Sequence, residues 1–268
     1  TGDGVTVDTA ALQQAIDCCH EAGGGTVFVP AGTYLTGTLY LRSHVTLHLS
    51  AGATLLGSPS REDYNADDVF PENPVFTTEN ATGAHLIIAY REQNVAIVGE
   101  GTIDGSSAAF FEPLPPEEVT TSYRRKTRNF PIRDWRPGQM VFFCLCRDVA
   151  VRDVALCNAP YWTLLFLGCE RAQVRGLRIQ NPPQTANGDG IDTEPFPGDW
   201  AGVHFVDSLA PGSPNYTFQW LDFRYAVNGF LYETTTTSVG ARLPTVINDV
   251  FTGNLNGLRF KAVNNNVN

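Results

Sequence analysis

Residues 146–160, CRDVAVRDVALCNAP, and residues 169–183, CERAQVRGLRIQNPP, are two versions of one segment. They begin 23 residues apart (169 − 146), and seven positions carry identical or similar residues at that single offset. The matching pairs are Cys146/Cys169, Val151/Val174, Arg152/Arg175, Val154/Leu177, Leu156/Ile179, Asn158/Asn181 and Pro160/Pro183. A repeat in the twenties that is built of strands, without a helix, is typical of a parallel β-helix.

In a parallel β-helix, each coil stacks on the next at the spacing of neighbouring strands, so equivalent residues form ladders. We expect an inward apolar ladder that includes Val151/Val174 and Leu156/Ile179. Asn158 and Asn181 are expected to form an asparagine ladder, with amide side chains bonding from turn to turn. The alternative, a β-sandwich with coincidentally similar strands, is disfavoured by seven matches at one offset.

One helical pattern precedes the strands, over residues 8–22. Asp8 is a plausible N-cap, and Leu12, Ala15, Ile16 and Cys19 form one apolar face. The glycines at 23–25 are expected to end this helix, which would cap the open end of the coil stack. From residue 26 onward, short alternating strands such as Val45–Leu49 are separated by glycines. The sequence therefore predicts one domain over 1–268, with coils from 26 to 268 and an atypical last third.

Composition excludes several classes of protein. The chain has 268 residues, of which 43% are apolar, and a formal net charge of −10. The acidic balance argues against a nucleic-acid partner, and the absence of a long apolar run argues against a membrane span. The opening TGDGVTVD does not have the pattern of a signal peptide, which indicates a mature or trimmed product. Six cysteines without a C-x-x-C pair predict small buried hydrophobes, with at most one bridge, and no metal site.

An acidic stretch, NGDGIDTE at 187–194, contains Asp189, Asp192 and Glu194. Glycosidic hydrolysis with inversion needs two carboxyl groups about 6.5–9.5 Å apart, and neighbouring coils of a β-helix can present them to one groove. The bland alternative is a turn aspartate that bonds its own backbone amides.

Several segments, in order, resemble polygalacturonase-like proteins, the pectin-degrading glycoside hydrolases of family 28. They are the opening through residue 57, NVAIVGEGTIDG (94–105), RPGQMVFF (136–143), NAPYWTLLFLGCERAQVRGLRIQNPP (158–183) and NGDGID (187–192). The resemblance implies an all-β, right-handed, single-stranded parallel β-helix with an N-terminal capping α-helix. It also implies secreted or periplasmic action on an acidic plant polysaccharide (pectin or oligogalacturonide), in cell wall degradation, without a cofactor.

The resemblance carries over a small set of site residues. The family pattern Asn-Thr-Asp-Gly corresponds to residues 187–190, so Asp189 matches the first catalytic carboxylate and Asn187 is a candidate substrate contact. Residues 257–261, GLRFK, look like the family's Arg-x-Lys element. Arg259 and Lys261 would bind a uronate carboxylate, since residues two apart on a strand share a face.

The family's Asp-Asp pair and its Gly-His-Gly element are not found. Asp199 and Glu194 are candidate replacements for the second carboxylate, whereas Asp192 is expected to be structural, at a coil corner. His204 is the only histidine in this part of the chain, and we expect it to lie on the wrong segment for the family's histidine.

Two further features have alternative interpretations. Trp162 is either a sugar-stacking platform or, as we favour, a packing aromatic at a coil corner. The basic stretch 122–137 either overhangs the groove and attracts a polyanion or is a solvated loop.

Three functions remain open from sequence. The first, which we favour, is a monomeric glycoside hydrolase of polygalacturonase type; the second is a non-catalytic β-helix that binds acidic polysaccharide. The third is a purely structural or engineered β-helix. A lyase ranks below them, because the sequence does not show its calcium-binding carboxylate clusters.

Overall fold

The computed structural model describes residues 1–65, 73, 81–113, 130–182 and 185–192, without the side chain of Asp192, and the backbone of seven later strands. One helix, α1 (Thr9–Glu21), and two 3-10 turns, Arg61–Asp63 and Ser107–Ala109, lie among parallel strands. The strands form three sheets that each coil visits in turn. This is the right-handed, single-stranded parallel β-helix with a helix at its N-terminus that the sequence predicts.

Each sheet runs the length of the coil stack. Sheet A contains β1 (Asp3–Val7), β3 (Gly32–Thr36), β6 (Ala53–Gly57), β9 (Thr102–Asp104), β12 (Ala155–Cys157), β15 (Arg178–Gln180), β19 (Asp222–Arg224) and β22 (Val250–Thr252). Sheet B contains β2 (Gly25–Val29), β5 (Val45–Leu49), β8 (Gln93–Gly99), β11 (Arg147–Arg152), β14 (Glu170–Arg175), β18 (Thr217–Gln219) and β21 (Thr245–Ile247). Sheet C contains β4 (Leu39–Tyr40), β7 (Ile87–Tyr90), β10 (Val141–Cys144), β13 (Leu164–Leu167), β16 (Ile191–Asp192), β17 (Ala201–Asp207), β20 (Asn228–Thr234) and β23 (Asn256–Ala262).

The 23-residue repeat corresponds to two neighbouring coils. Val151 pairs with Val174 and Arg152 with Arg175 in sheet B, and Leu156 pairs with Ile179 in sheet A. The inward members of these pairs are buried and belong to the main apolar core. The register that the sequence predicted is therefore confirmed.

The asparagine ladder forms differently from the expectation. Asn181 accepts the backbone N–H of Ala159 at 2.9 Å, so its amide does bond from one coil to the next. Asn158, however, donates to the carboxylate of Asp104 at 2.9 Å rather than to Asn181. Asn158 is in the left-handed region (φ 52°), which an asparagine tolerates. The corner is thus stabilised by a mixed acid–amide ladder.

Helix α1 caps the first coil, as expected, although its own N-cap differs from the prediction. Asp8 occupies the N-cap position, but its carboxylate makes no capping bond and instead accepts the N–H of Gly2 at 3.1 Å. Leu12 and Ile16 are buried against the core, whereas Ala15 is exposed. The helix ends before Gly24, whose φ of +103° and close approach to the carbonyl of His44 exclude a side chain.

The side chain of Gln13 replaces a missing strand at the edge of sheet C. Its amide nitrogen donates to the carbonyl of Tyr40 at 2.9 Å, and its oxygen accepts the N–H of Tyr40 at 2.8 Å. The outermost strand β4 therefore has its open backbone groups satisfied by one glutamine, which removes a template for edge-to-edge pairing.

Sheet C receives two successive strands, β16 and β17, between β15 of sheet A and β18 of sheet B. Among the strands that the structure describes, sheets A and B have no counterpart to this extra strand. The coil period that is visible before residue 192 therefore changes at this point.

Candidate active site on sheet C

The turn that carries Asp189 leads directly into β16. The carbonyl of Asp189 accepts the N–H of Thr163 at 2.9 Å, and the carbonyl of Gly190 accepts the N–H of Leu164 at 3.1 Å. Asn181 donates its side-chain amide to the carbonyl of Gly188 at 3.2 Å. These bonds fix the turn against the preceding coil. Asp189 itself is 9% exposed, so it lies at a shielded position.

Asn187 lies in the left-handed region (φ 57°) two residues before Asp189. Its side-chain oxygen accepts a hydrogen bond from Nη2 of Arg136 at 3.1 Å. The amide oxygen of this predicted substrate contact is therefore used within the protein.

The outer column of sheet C changes from apolar to polar along the stack. Ile88, Phe142 and Leu165 are in register and fully buried, in a second apolar cluster with Trp162. From β16 onward, the same register column continues through Asp192, His204, Leu231 and Arg259. Polar residues thus enter this column only at the coils that follow Asp189.

Two sequence-based expectations are corrected by this register. Asp192 does not lie at a coil corner: it is on β16 and pairs with Leu165 on one side and His204 on the other. His204 was expected to lie on the wrong segment, but it shares the register column of Asp192 and Arg259. The sequence alone could not reveal this, because the period changes between β15 and β18.

Arg259 and Lys261 lie on β23, two residues apart, as expected for one face of a strand. Lys261 is in register with Glu233, and Arg259 with Leu231. Asp199, Glu194 and the segment 213–215 lie outside the described residues.

Trp162 is a packing aromatic rather than an open sugar platform. It is 5% exposed, and its ring stacks on that of Tyr161 with centroids 4.9 Å apart and an interplanar angle of 19°. The preferred interpretation from sequence is therefore confirmed.

The described part of the basic stretch contains a buried arginine. Arg136 is completely inaccessible, whereas Arg133 is partly exposed and pairs with Glu112 at 3.5 Å. The expectation of a uniformly solvated or groove-facing charge run is thus wrong for Arg136. Residues 122–129 lie outside the described residues.

A separate cleft of about 640 Å³ opens along the ends of the sheet A strands. Its described lining is mostly apolar, with Asp104, Ser107 and Asn158 as the main polar contributors. Within that lining, neither Asp189 nor Asn187 occurs, so this cleft is distinct from the turn that enters β16. Nor do the described residues contain a group of three His, Cys, Asp or Glu side chains that could hold a metal.

Comparisons with known proteins agree with this fold. A family model described as rhamnogalacturonase A/epimerase, pectate lyase-like, matches residues 1–109. The Family 28 exopolygalacturonase of Yersinia enterocolitica superposes with a TM-score of 0.62 at 22% identity, over 95% of this chain and 46% of that one. At that identity, the superposition shows the fold.

Three curated relatives are similar in sequence. An exo-poly-alpha-D-galacturonosidase of Dickeya chrysanthemi is 40% identical over 116 residues, which are 39% of this chain and 18% of that protein. A probable polygalacturonase of Vitis vinifera is 28% identical over 201 residues, or 72% and 38% of the two chains. The plasmin and fibronectin-binding protein A of Streptococcus pneumoniae is 46% identical over 212 residues, or 72% and 28%. The chain thus spans well under half the length of these relatives.

Fold and comparisons together define a parallel β-helix protein of the pectate lyase-like type. Within that class, the chain is polygalacturonase-like, and at family level its similarity is to pectin-degrading glycoside hydrolases. The helix of the described residues is too short and too polar to cross a membrane.

Proposed function

We propose that the protein is a glycoside hydrolase that cleaves a galacturonate-containing polysaccharide by acid–base catalysis. The observation that carries this proposal is the register column Asp192–His204–Leu231–Arg259, which follows directly on the turn of Asp189. Carboxyl, imidazole and guanidinium groups on successive rungs suit a substrate that is both acidic and polymeric.

In this proposal, Asp189 is one of the two carboxyl groups that act on the glycosidic bond. Asp199 remains the predicted second group, and the register adds Asp192 as a second candidate. Arg259 and Lys261 would bind a uronate carboxylate, with the planar fork of arginine giving two parallel bonds. Asn187 would contact the sugar through its amide nitrogen, because its oxygen already accepts from Arg136.

The relatives also support proposals about context. Enzymes that degrade pectin meet their polymer outside the cytoplasm, so we propose a secreted or periplasmic protein. We further propose that it works as a monomer, since all the candidate residues lie on one sheet of one chain.

The test is release of reducing ends from polygalacturonate and rhamnogalacturonan by the protein and by Asp189→Asn. We expect turnover to fall about 10²–10⁴-fold in the variant, because a positioned acid or base contributes that much. Asp153→Asn is the matched control, since Asp153 lies at an exposed corner and pairs with Arg175 at 3.6 Å. Full activity of Asp189→Asn would remove Asp189 from the mechanism.

A second candidate function is non-catalytic binding. The similarity to the plasmin and fibronectin-binding protein A favours it, as does the missing Asp-Asp pair. If neither pectic polymer is cleaved while polygalacturonate still binds, and if Arg259→Ala weakens that binding, this second function replaces the first.

A further inference from the structure

Arg136 is the largest of the fully buried side chains, and it carries a charge. Removing a guanidinium from water is costly unless hydrogen bonds and a suitable environment compensate for the lost hydration. A completely buried arginine in the middle of an apolar core therefore needs a structural reason.

The guanidinium joins three segments that are far apart in the chain. Nη1 donates to the carbonyl of Pro160 at 3.0 Å and to the carbonyl of Ala186 at 2.7 Å. Nη2 donates to the side-chain oxygen of Asn187 at 3.1 Å. Two of the three acceptors belong to the turn that carries Asp189.

Aromatic rings fix the plane of the guanidinium. Its central carbon lies 4.7 Å from the ring centroid of Tyr161 and 5.7 Å from that of Phe111. Contacts of this kind are favourable for an arginine and limit its rotation. The donors are thus held in direction as well as in distance.

These bonds act on the turn from one side, and the preceding coil acts on it from the other. The carbonyl of Asp189 accepts the N–H of Thr163 at 2.9 Å, which anchors the far end of the turn to β13. Asp189 therefore lies between two fixed points, one at Ala186–Asn187 and one at Thr163.

We propose that Arg136 is a positioning residue, which sets where the Asp189 carboxyl lies relative to sheet C. The inference rests on the proposed function of Asp189. Lysine would not replace Arg136, because one ammonium group cannot serve acceptors on separate segments with the geometry of a planar fork.

The test compares Arg136→Met and Arg136→Lys with the control Arg152→Met, in which an exposed arginine is changed. Hydrogen exchange is measured at the amide of Thr163, which reports on the turn, and at the amide of Arg91, which bonds to Cys144 at 2.9 Å on other coils. We expect exchange at Thr163 to accelerate about tenfold or more in Arg136→Met, with little change at Arg91.

Kinetics on polygalacturonate provide the second readout. We expect kcat to fall about tenfold to a hundredfold with KM nearly unchanged, because a small displacement of a catalytic group affects the chemical step. Arg136→Lys should give a smaller change of the same kind, and it replaces Arg136→Met if that variant does not fold.

Two results would overturn the inference: wild-type exchange at Thr163 in a folded Arg136 variant, or equal acceleration at Thr163 and Arg91. The second would show a general loss of stability. Failure of the proposed function is seen separately, as a wild-type protein that cleaves no pectic substrate, and the exchange comparison still decides the role of Arg136.

Discussion

Cysteine chemistry differs from site to site in this molecule. Cys144, Cys146 and Cys169 are buried, Cys18 is exposed, and all six thiols are free, so the bridge that the sequence allowed does not form. Burial, reinforced by the nearby charge of Asp104, raises the pKa of Cys157 to about 12. Partial exposure of a thiol is therefore a poor guide to its reactivity here.

Alkylation tests this conclusion. With iodoacetamide at pH 8, we expect Cys18 to react first and Cys157 about a hundredfold more slowly or less, since only the thiolate attacks. Peptide mapping by mass spectrometry at successive times measures both rates, and Cys18→Ser should remove the fast phase alone. Equal rates at Cys18 and Cys157 would contradict the raised pKa.

At the scale of residues, sequence reasoning found Asp189 but missed Arg136 as part of its surroundings. Charge runs are usually solvated, and the acceptors that bury Arg136 lie 24, 50 and 51 residues further along the chain. Only the coil-to-coil register brings them together. For the same reason, the alignment of His204 with Asp192 and Arg259 was not visible in the sequence.

Strand-to-strand ladders hold successive elements together. Phe143 on β10 and Phe166 on β13 are fully buried, and their rings stack with centroids 5.4 Å apart and an interplanar angle of 11°. The sequence predicted such ladders wherever two coils had the same length, because an offset of 23 residues then aligns every position. Beyond β16 that equality ends, and the later strands could not be registered from sequence.

Truncation of one ring should show the energetic weight of the ladder. We expect Phe166→Ala to lower the free energy of unfolding by about 3–5 kcal/mol, because it leaves a cavity beside Phe143. Phe28→Ala is the control: Phe28 is 60% exposed, and its loss should cost less than about 1 kcal/mol. Urea denaturation measures both, and similar losses would show that the ladder is not special.

The whole molecule is a stack that is closed at one end by helix α1. This was the most predictable feature, since an apolar helical face followed by three glycines has few other uses before a run of strands. Its attachment is partly electrostatic: Asp17 of the helix pairs with Arg42 at 2.9 Å. Partial burial acts to raise the pKa of Asp17, but the bonds from Arg42 and Gln13 outweigh it and lower that pKa.

The lowered pKa predicts how acid affects the cap. A carboxyl group with a depressed folded-state pKa stabilises the fold above its unfolded pKa, and this contribution is lost as pH falls through the folded value. We expect the stability difference between wild type and Asp17→Asn to be present at pH 5 and to vanish near pH 2. Thermal melts at both values measure it, with the exposed Glu21→Gln as control. A difference that is independent of pH would contradict the ion pair.

A stack of equally spaced rungs has no inherent length, because every new coil meets the same surface as the last. At the edge of sheet C, that length is set by Gln13, whose amide occupies both backbone groups of Tyr40 and is too short to offer a further rung. The glutamine therefore acts as a chain terminator at this edge. A protein that evolves by duplicating coils can lengthen its middle freely, but it must keep this one side chain at its boundary or become the seed of a filament.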